Sequence, residues 1–174
     1  LYNMVDSIFI GHGVGALAIS GLALTFPLMN LAAAFGSLVG VGAATLVSMR
    51  LGQRDYETAQ RILGNVVVLN LIIGISFGLL TLVFLDPILY FFGASDATIG
   101  YAREYMSVIL WGNVVTHMYL GLNAVLRAAG HPRKAMYATI LTVTINAILD
   151  PLFIFGFGWG IRGAAIATVL AQIL

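Results

Sequence analysis

Residues 135–161 read AMYATILTVTINAILDPLFIFGFGWGI, and Asp150 is the only Asp, Glu, Lys or Arg in this stretch. As a helix, the segment is long and apolar enough to cross a lipid bilayer, which takes about 20 residues. Pro151 follows the aspartate directly. A charge and a helix breaker are both costly in such a helix. The stretch therefore predicts a membrane helix in which the aspartate and the proline have a specific role.

The rest of the chain has the same pattern. Residues 7–49, 62–85 and 105–126 also contain no Asp, Glu, Lys or Arg, and the 174-residue chain is 60% apolar and only 9% charged. Soluble domains have about a quarter charged residues. Strands of an outer-membrane barrel would alternate in segments of about 10 residues, which these runs do not. The sequence predicts an all-α integral membrane protein.

Six membrane helices are predicted from these runs. Their approximate ranges are 1–10, 16–49, 62–85, 104–126, 135–155 and from 163 to the end. The first and the sixth are expected to be truncated, because the chain starts without Met and ends within an apolar run. We expect residues 1–174 to form a single helical lobe of a longer membrane protein.

Basic residues indicate the orientation of this lobe. The connections 50–61 and 127–134 hold six of the eight Lys and Arg residues, and two predicted helices separate them, so both lie on one side. Lys and Arg are concentrated in the cytoplasmic loops of membrane proteins. We therefore expect both connections to be cytoplasmic, in a multi-pass protein of the cell's inner (plasma) membrane.

Two aspartates are predicted to share one depth in the membrane. The segment VDSIFIGHGVG (5–15) is echoed by LDPLFIFGFGWG (149–160), and both belong to helices that run outward. Asp6 lies five residues before the first glycine of its turn, and Asp150 lies six before. At 1.5 Å per residue, both carboxyl groups are about 8–9 Å inside the outer helix ends. Intramembrane aspartates usually mark an ion or proton pathway.

Helical spacing adds polar neighbours to the two aspartates. Asn146 precedes Asp150 by four residues and shares its helix face, and Tyr2 has the same relation to Asp6. The sixth helix returns inward, so Thr168 reaches the depth of Asp150. Taken singly, a Thr or Asn in a membrane helix is most often an interhelical hydrogen-bonding group. The expected nearness of Asn146 and Thr168 to the two aspartates favours a shared polar site instead.

Three further residues bear on this site. Tyr105 and Asn123 are 18 residues apart, or about five turns, which predicts that they share one face of the fourth helix. Pro151 has no N–H group, so the helix can kink there and the residue is a candidate hinge. A static kink is equally consistent with the sequence.

Other chemistry is not indicated. The three histidines lack ligand spacing and the chain has no cysteine, so neither a metal site nor a cofactor is predicted. No phosphate-binding loop or nucleophile elbow is present, which argues against an enzyme. No segment indicates a nucleic-acid partner.

The chain resembles the multidrug and toxic compound extrusion (MATE) family of secondary transporters. The resemblance rests on YNMVDSIFIG (2–11), VGVGAATLVSMRLGQRDYETAQRI (39–62), GLNAVLRAAGHPRKAM (121–136) and NAILDPLFIFGFGWGIRGAAIAT (146–168). It implies the N-terminal six-helix lobe of a twelve-helix protein that exports organic, often cationic, compounds in exchange for Na⁺ or H⁺. The implied partners are that substrate, the coupling ion, membrane lipid and a second lobe of the same chain.

The resemblance also implies a cation site in this lobe. Its implied members are Asp6, Asn146, Asp150 and Thr168, with Tyr2, Tyr105 and Asn123 lining or adjoining the same pocket. Whether the ion is Na⁺ or H⁺ stays open, because Na⁺ needs several oxygens and H⁺ only one carboxylate.

Three alternatives remain. A lipid-linked oligosaccharide flippase of the same superfamily would more often carry basic residues in its spans. An intramembrane aspartyl protease also uses two aspartates, but its second follows a Gly-x-Gly run, whereas Ile148 and Leu149 precede Asp150. A cation channel or membrane scaffold would conduct ions or bind partners without accumulating a substrate against a gradient.

Overall fold

The computed structural model describes the backbone of residues 2–174 and the side chains of residues 4 and 6–174. Over this range the chain is helical and contains no strand. In chain order the elements are α1 (Tyr2–Gly13), α2 (Ala16–Gly52), α3 (Tyr56–Val83), α4 (Leu85–Phe91), α5 (Ile99–Trp111), α6 (Asn113–Ala128), α7 (Pro132–Pro151), a π-helical segment (Leu152–Gly156) and α8 (Gly160–Ile173).

Among the described residues, three helices are long and apolar enough to cross a membrane. They are α2, α3 and the continuous stretch Pro132–Gly156, and α5 with α6 makes a fourth crossing if the bent pair is taken as one span. α8 is a shorter apolar helix. Many large apolar side chains point outward, such as Leu38 at 63% exposure and Val41 at 60%, as expected of a lipid-facing surface. The prediction of an all-α polytopic membrane protein is confirmed.

The predicted fourth helix, 104–126, is wrong as a single straight element. The structure starts it earlier and divides it into α5 and α6, which meet at Gly112 with a bend of 57°. A Cβ atom at Gly112 would overlap the side chain of Val169 on α8, so the glycine allows close contact between the bend and α8. The amide of Asn113 donates to the carbonyl of Gly74 on α3 over 2.9 Å. Contacts to two other helices therefore hold the bend.

α2 and α6 pack closely through glycines. A Cβ atom at Gly40 on α2 would lie 2.6 Å from the Cα atom of Gly121 on α6, so the glycine at position 40 permits this crossing distance. One helical turn away, Gly36 faces His117 in the same way. Small residues at helix contacts let membrane helices approach closely. The glycines of α2 therefore place α6 against its centre.

The two basic connections lie at one end of the bundle. The α2–α3 connection follows Gly52 and the α6–α7 connection follows Ala128. The hydroxyl of Ser48, near the end of α2, donates to the carbonyl of Ala128 over 2.9 Å. This contact ties together the helix ends from which both connections emerge.

α7 passes through Pro151 and widens directly into the π-helical segment. The N–H groups of Phe157 and Trp159 reach back to the carbonyls of Leu152 and Phe153, at 3.0 Å each. Because proline has no N–H group, a regular α-helical ladder cannot continue across it. The sequence predicts a kink at this proline, and the structure has a π-helical segment directly after it.

Candidate functional site

The side chain of Asp6 is fully buried between three helices. Its Oδ2 atom accepts a hydrogen bond of 2.7 Å from the hydroxyl of Tyr105 on α5. The hydroxyl of Thr168 on α8 donates to the same oxygen over 3.2 Å. Asp6 and Tyr105 are both 0% exposed. One carboxylate of α1 is therefore held by donors from two other helices.

Asp150 lies in the same cluster, on α7. The amide of Asn146 donates to Asp150 Oδ1 over 3.0 Å, so the four-residue spacing does place them on one helix face. The same amide lies 3.3 Å from the hydroxyl of Thr168. Hydrogen bonds through Asn146 and Thr168 connect Asp150 to Asp6. The structure thus brings Asp6, Asn146, Asp150 and Thr168 together.

α8 reaches this cluster because small residues let it approach α7. A Cβ atom at Gly163 would lie 2.9 Å from the backbone carbonyl of Phe153 in the π-helical segment. Ala164, Ala165 and Ala167 are 0% exposed. The close contact positions Thr168, whose hydroxyl also lies 3.1 Å from the carbonyl of Ala164.

The cluster has more acceptors than donors. Asp6 Oδ1, Asp150 Oδ2 and Asn146 Oδ1 are buried and have no hydrogen-bond partner among the described residues. The ion pairs found in the described part of the chain involve other carboxylates. Burying unpaired polar and charged groups is costly. Three oxygens without donors, two of them on carboxyl groups, form a site suited to a cation.

The chemical type of these oxygen atoms limits which cations the cluster can bind. Carboxylate, amide and hydroxyl oxygens suit hard cations, whereas transition metals favour His or Cys ligands. No group of three or more His, Cys, Asp or Glu residues suitable for a metal is found among the described residues. The oxygens fit a proton or a hard monovalent ion.

Asn123 does not belong to this cluster, which corrects the prediction from the sequence. Its amide donates to the carbonyl of Ala135 over 3.1 Å and lies 3.4 Å from the hydroxyl of Thr139. Ala135 is eleven residues before Asn146 on α7, or about 16 Å along the helix. The bend at Gly112 breaks the straight helix on which the prediction depended. Asn123 instead lines a separate open groove of about 460 Å³.

The other predicted residues are placed as follows. Tyr105 does contact the cluster through Asp6. Tyr2 lies in α1, but its side chain is outside the described residues. Pro151 is half-buried directly after Asp150, at the junction with the π-helical segment.

Sequence reasoning did not single out Gln172. Its side chain accepts a 2.6 Å hydrogen bond from the hydroxyl of Thr116, which joins α8 to α6. Gln172 follows Thr168 by four residues, so helical spacing alone could have placed it beside the site. Thr116 gives no comparable signal, because its position depends on the bend between α5 and α6.

The chain is similar to known proteins along its whole length. The model of the MatE family matches residues 1–152. The chain is 31% identical over 174 residues to the multidrug export protein MepA of Staphylococcus haemolyticus (strain JCSC1435), covering 100% of the chain and 38% of that protein. It is 31% identical over 173 residues to MepA of Staphylococcus aureus (strain NCTC 8325 / PS 47), covering 99% and 38%. The chain thus spans 38% of the length of these relatives.

The fold of this chain is similar to that of solved transporter structures. A crystal structure of MATE in the bent conformation superimposes with a TM-score of 0.95 at 32% identity, over 99% of this chain and 38% of that one. An inward-facing multidrug resistance MATE family transporter of the MOP superfamily superimposes with a TM-score of 0.94 at 32% identity, over 99% and 39%.

Proposed function

This chain belongs to the MatE family, and from that premise we propose that it forms the N-terminal lobe of a cation-coupled antiporter that exports small organic compounds. The relatives named above are multidrug export proteins rather than enzymes, which supports a transport role. Because the chain spans 38% of their length, the proposed transporter includes a second lobe. We place it in the cell's inner (plasma) membrane, with the basic connections 50–61 and 127–134 in the cytoplasm.

The observation that carries the proposal is the surplus of buried oxygens at Asp6, Asn146 and Asp150. Two interacting carboxyl groups in a low-dielectric interior repel each other when both are ionised. A bound cation relieves that repulsion and satisfies the unpartnered oxygens. The cluster therefore binds the coupling ion, Na⁺ or H⁺, with no further cofactor.

Binding of the ion changes the forces between four helices. Asp6 belongs to α1, Asp150 to α7, Thr168 to α8 and Tyr105 to α5. Neutralising the carboxylates weakens the hydrogen bonds that they accept from Tyr105 and Thr168, because bonds to charged acceptors are the stronger ones. When the ion binds, α7 bends at Pro151, which acts as the hinge. In an antiport cycle, ion binding from outside then accompanies substrate release, and ion release resets the lobes.

The proposed substrate surface is the open groove that contains Asn123. At about 460 Å³ it has the size of a site for a drug-like molecule. Its lining is mostly apolar, with Tyr119, Asn123 and Gln172 as polar groups and Met118 as an adaptable one. No charged side chain is among the described residues that line it. Such a surface suits lipophilic organic compounds with few fixed polar contacts.

Efflux of a fluorescent organic cation from cells expressing the full-length transporter tests this function. Asp6→Asn and Asp150→Asn should each reduce gradient-driven efflux by about tenfold or more, with protein abundance unchanged. Asp96→Asn is the matched control, because Asp96 is an exposed carboxylate outside the cluster. Varying Na⁺ and pH separately identifies the ion. Undiminished coupled efflux in both cluster variants would refute the proposal.

A further inference from the structure

Half of the basic side chains have no acidic partner among the described residues. The chain has eight Lys and Arg residues, and the ion pairs of the described part involve Arg50, Arg61, Arg103 and Arg162. The other four basic side chains are exposed and belong to the two basic connections. We refer to them together as the basic surface, which consists of Arg54, Arg127, Arg133 and Lys134.

The basic residues of the α6–α7 connection lie close together. The amide of Asn123 on α6 donates to the carbonyl of Ala135 on α7 over 3.1 Å. Arg127 follows Asn123 by four residues and lies on the same helix face, and Lys134 directly precedes Ala135. Only residues 129–131 separate the two helices. The contact between α6 and α7 thus brings the basic residues of this connection to one helix junction.

Arg54 comes from the neighbouring α2–α3 connection. The bond from Ser48 to the carbonyl of Ala128 sets the last turn of α2 beside the end of α6. α2 ends four residues after Ser48, or about 6 Å further along its axis, and Arg54 is the second residue beyond that end. Arg54 therefore lies next to the junction of α6 and α7.

The backbone at Arg54 does not favour arginine. Its φ is +61°, a value in the left-handed region that no other non-glycine residue of the described chain adopts. Glycine and asparagine occupy this region at a lower cost than residues with long side chains. The local conformation thus gives no reason for a cation at this position, whereas a partner for its charge does.

The basic surface lies at the ends of membrane-spanning helices. Ala16–Gly52 and Pro132–Gly156 are both long and apolar enough to cross a membrane. Arg54 is the second residue after the first of these segments, and Arg133 is the second residue of the other. Tyr137, a residue type enriched at the level of lipid headgroups, follows Arg133 by one helical turn. These positions put the cations at the depth of lipid phosphate groups.

The charge of this end of the bundle indicates an anionic partner. Connections 50–61 and 127–134 together hold six Lys or Arg residues against two Asp or Glu residues, which leaves a formal charge of +4. Guanidinium groups bind phosphate oxygens through paired hydrogen bonds. A basic segment at a membrane surface gains about fivefold in affinity for anionic lipid per Lys or Arg.

We propose that the basic surface binds the phosphate headgroup of an anionic phospholipid. Arg127, Arg133 and Lys134 hold the phosphate at the junction of α6 and α7, and Arg54 contacts it from the α2–α3 connection. The bound lipid thereby joins the ends of three helices, α2, α6 and α7. This inference goes beyond the proposed export function and requires only that the chain is embedded in a membrane.

Lipid binding to the full-length transporter is the first test. Native mass spectrometry of the protein in neutral detergent counts bound phosphatidylglycerol and phosphatidylcholine with the same acyl chains. The wild type should bind phosphatidylglycerol at least about tenfold more tightly, and a triple variant with Arg127→Gln, Arg133→Gln and Lys134→Gln should lose at least about tenfold in that affinity. Equal binding of the two lipids by the wild type, or an unchanged affinity in the triple variant, overturns the proposal.

A matched pair of single variants separates a site from a net-charge effect. Arg127→Gln and Arg61→Gln remove one positive charge each at the same end of the bundle, but Arg61 is already paired with Glu57 at 2.6 Å. Arg127→Gln should weaken phosphatidylglycerol binding about fivefold and Arg61→Gln less than about twofold. Equal losses in the two variants would mean that only the total charge matters and would contradict a binding site.

Arg54→Asn separates lipid binding from folding. Asparagine tolerates the left-handed backbone, so the variant should unfold at the same or a higher temperature than the wild type in neutral detergent alone. Added phosphatidylglycerol should raise the unfolding temperature of the wild type more than that of the variant. An equal rise in both proteins contradicts the assignment of Arg54 to the site.

Two further comparisons identify the source of the anion. Inorganic phosphate at the concentration of the lipid should leave the unfolding temperature of the wild type unchanged; a rise equal to that with phosphatidylglycerol would assign the basic surface to a soluble anion instead. If the triple variant is destabilised as much in phosphatidylcholine as in phosphatidylglycerol, the cations pair with acidic residues of the second lobe, and the lipid site is wrong. Asp6→Asn and Asp150→Asn should bind the lipid as the wild type does, so a failure of the cation site leaves this inference standing.

Discussion

Tyr105 on α5 donates a hydrogen bond of 2.7 Å to the carboxylate of Asp6 on α1, across 99 positions of sequence. Both side chains are 0% exposed. The bond is therefore made in a medium where a lost partner cannot be replaced by bulk water. It holds α1 against α5, the first helix of the bent α5–α6 pair.

Removing the Tyr105 hydroxyl should destabilise the lobe. Tyr105→Phe keeps the ring and deprives Asp6 Oδ2 of one of its two donors, at a cost of about 1–3 kcal/mol in the free energy of unfolding. Chemical unfolding of the purified protein in detergent measures this difference. Tyr137→Phe is the control, since Tyr137 is 63% exposed and its substitution should change stability little. Equal losses in the two variants would show that the bond contributes nothing specific.

Adding a methyl group at the bend between α5 and α6 should also destabilise the protein. Gly112→Ala places a Cβ atom into the side chain of Val169, and overpacking of this kind costs about 1–3 kcal/mol. Gly100→Ala on the same helix meets nothing within 4 Å and should be neutral or slightly stabilising. The second substitution Val169→Ala should restore stability to Gly112→Ala. A double variant no more stable than Gly112→Ala would contradict steric overlap as the cause.

The proposed orientation predicts which loops are labelled from each side. Gln53 and Arg133 are exposed in the two basic connections, and Ala97 is exposed in the connection before α5. Single cysteines at Gln53 and Arg133 should react with an impermeant reagent only in inside-out vesicles, and a cysteine at Ala97 only in intact cells. This prediction follows from the proposal that the basic connections are cytoplasmic, which rests on the distribution of Lys and Arg. Labelling of Gln53→Cys in intact cells would reverse the assignment.

The start of α3 should contribute stability that depends on pH. The N–H group of Thr58 donates to the Asp55 side chain over 3.1 Å, and this bond lowers the pKa of Asp55 from 3.8. Because the folded pKa lies below the unfolded one, the stabilisation is present above the unfolded value of 3.8 and is lost as pH falls through the folded pKa.

At neutral pH, Asp55→Ala should therefore melt at a lower temperature than the wild type, and the gap should narrow as the pH falls below about 4. Asp55→Asn keeps a capping oxygen without a titrating group and should show a pH-independent effect at this position. Thermal unfolding between neutral and acidic pH measures all three proteins. A gap between wild type and Asp55→Ala that persists at acidic pH would contradict the role of the ionised cap.

Much of the fold follows from local patterns in the sequence. Uncharged runs predict the spans because a bilayer sets their length and excludes charge. The α2–α3 connection is recognisable from its basic residues and from Asp55, which caps α3 in the structure. The cluster of Asp6, Asn146, Asp150 and Thr168 could be predicted from depth and helical spacing, since both depend on regular helix geometry alone.

The bend at Gly112 could not be predicted in the same way. The surrounding residues, VILWGNVV (108–115), contain no charged residue and no proline. The bend depends on Val169 and Gly74, which lie far away in sequence. The prediction for Asn123 is wrong for this reason. The sequence does predict Tyr105 at the pocket, but its bond to Asp6 also depends on packing between distant helices.

Thr168 has one hydroxyl proton and two acceptors within reach, Asp6 Oδ2 at 3.2 Å and the Ala164 carbonyl at 3.1 Å. The proton can serve only one acceptor at a time. While Asp6 carries its charge, the carboxylate is the stronger acceptor. In the proposed cation-bound state Asp6 is neutralised, and the backbone carbonyl then competes with it on equal terms. The direction of the Thr168 hydroxyl on α8 therefore depends on the charge of Asp6 on α1. This rotation requires no movement of either helix.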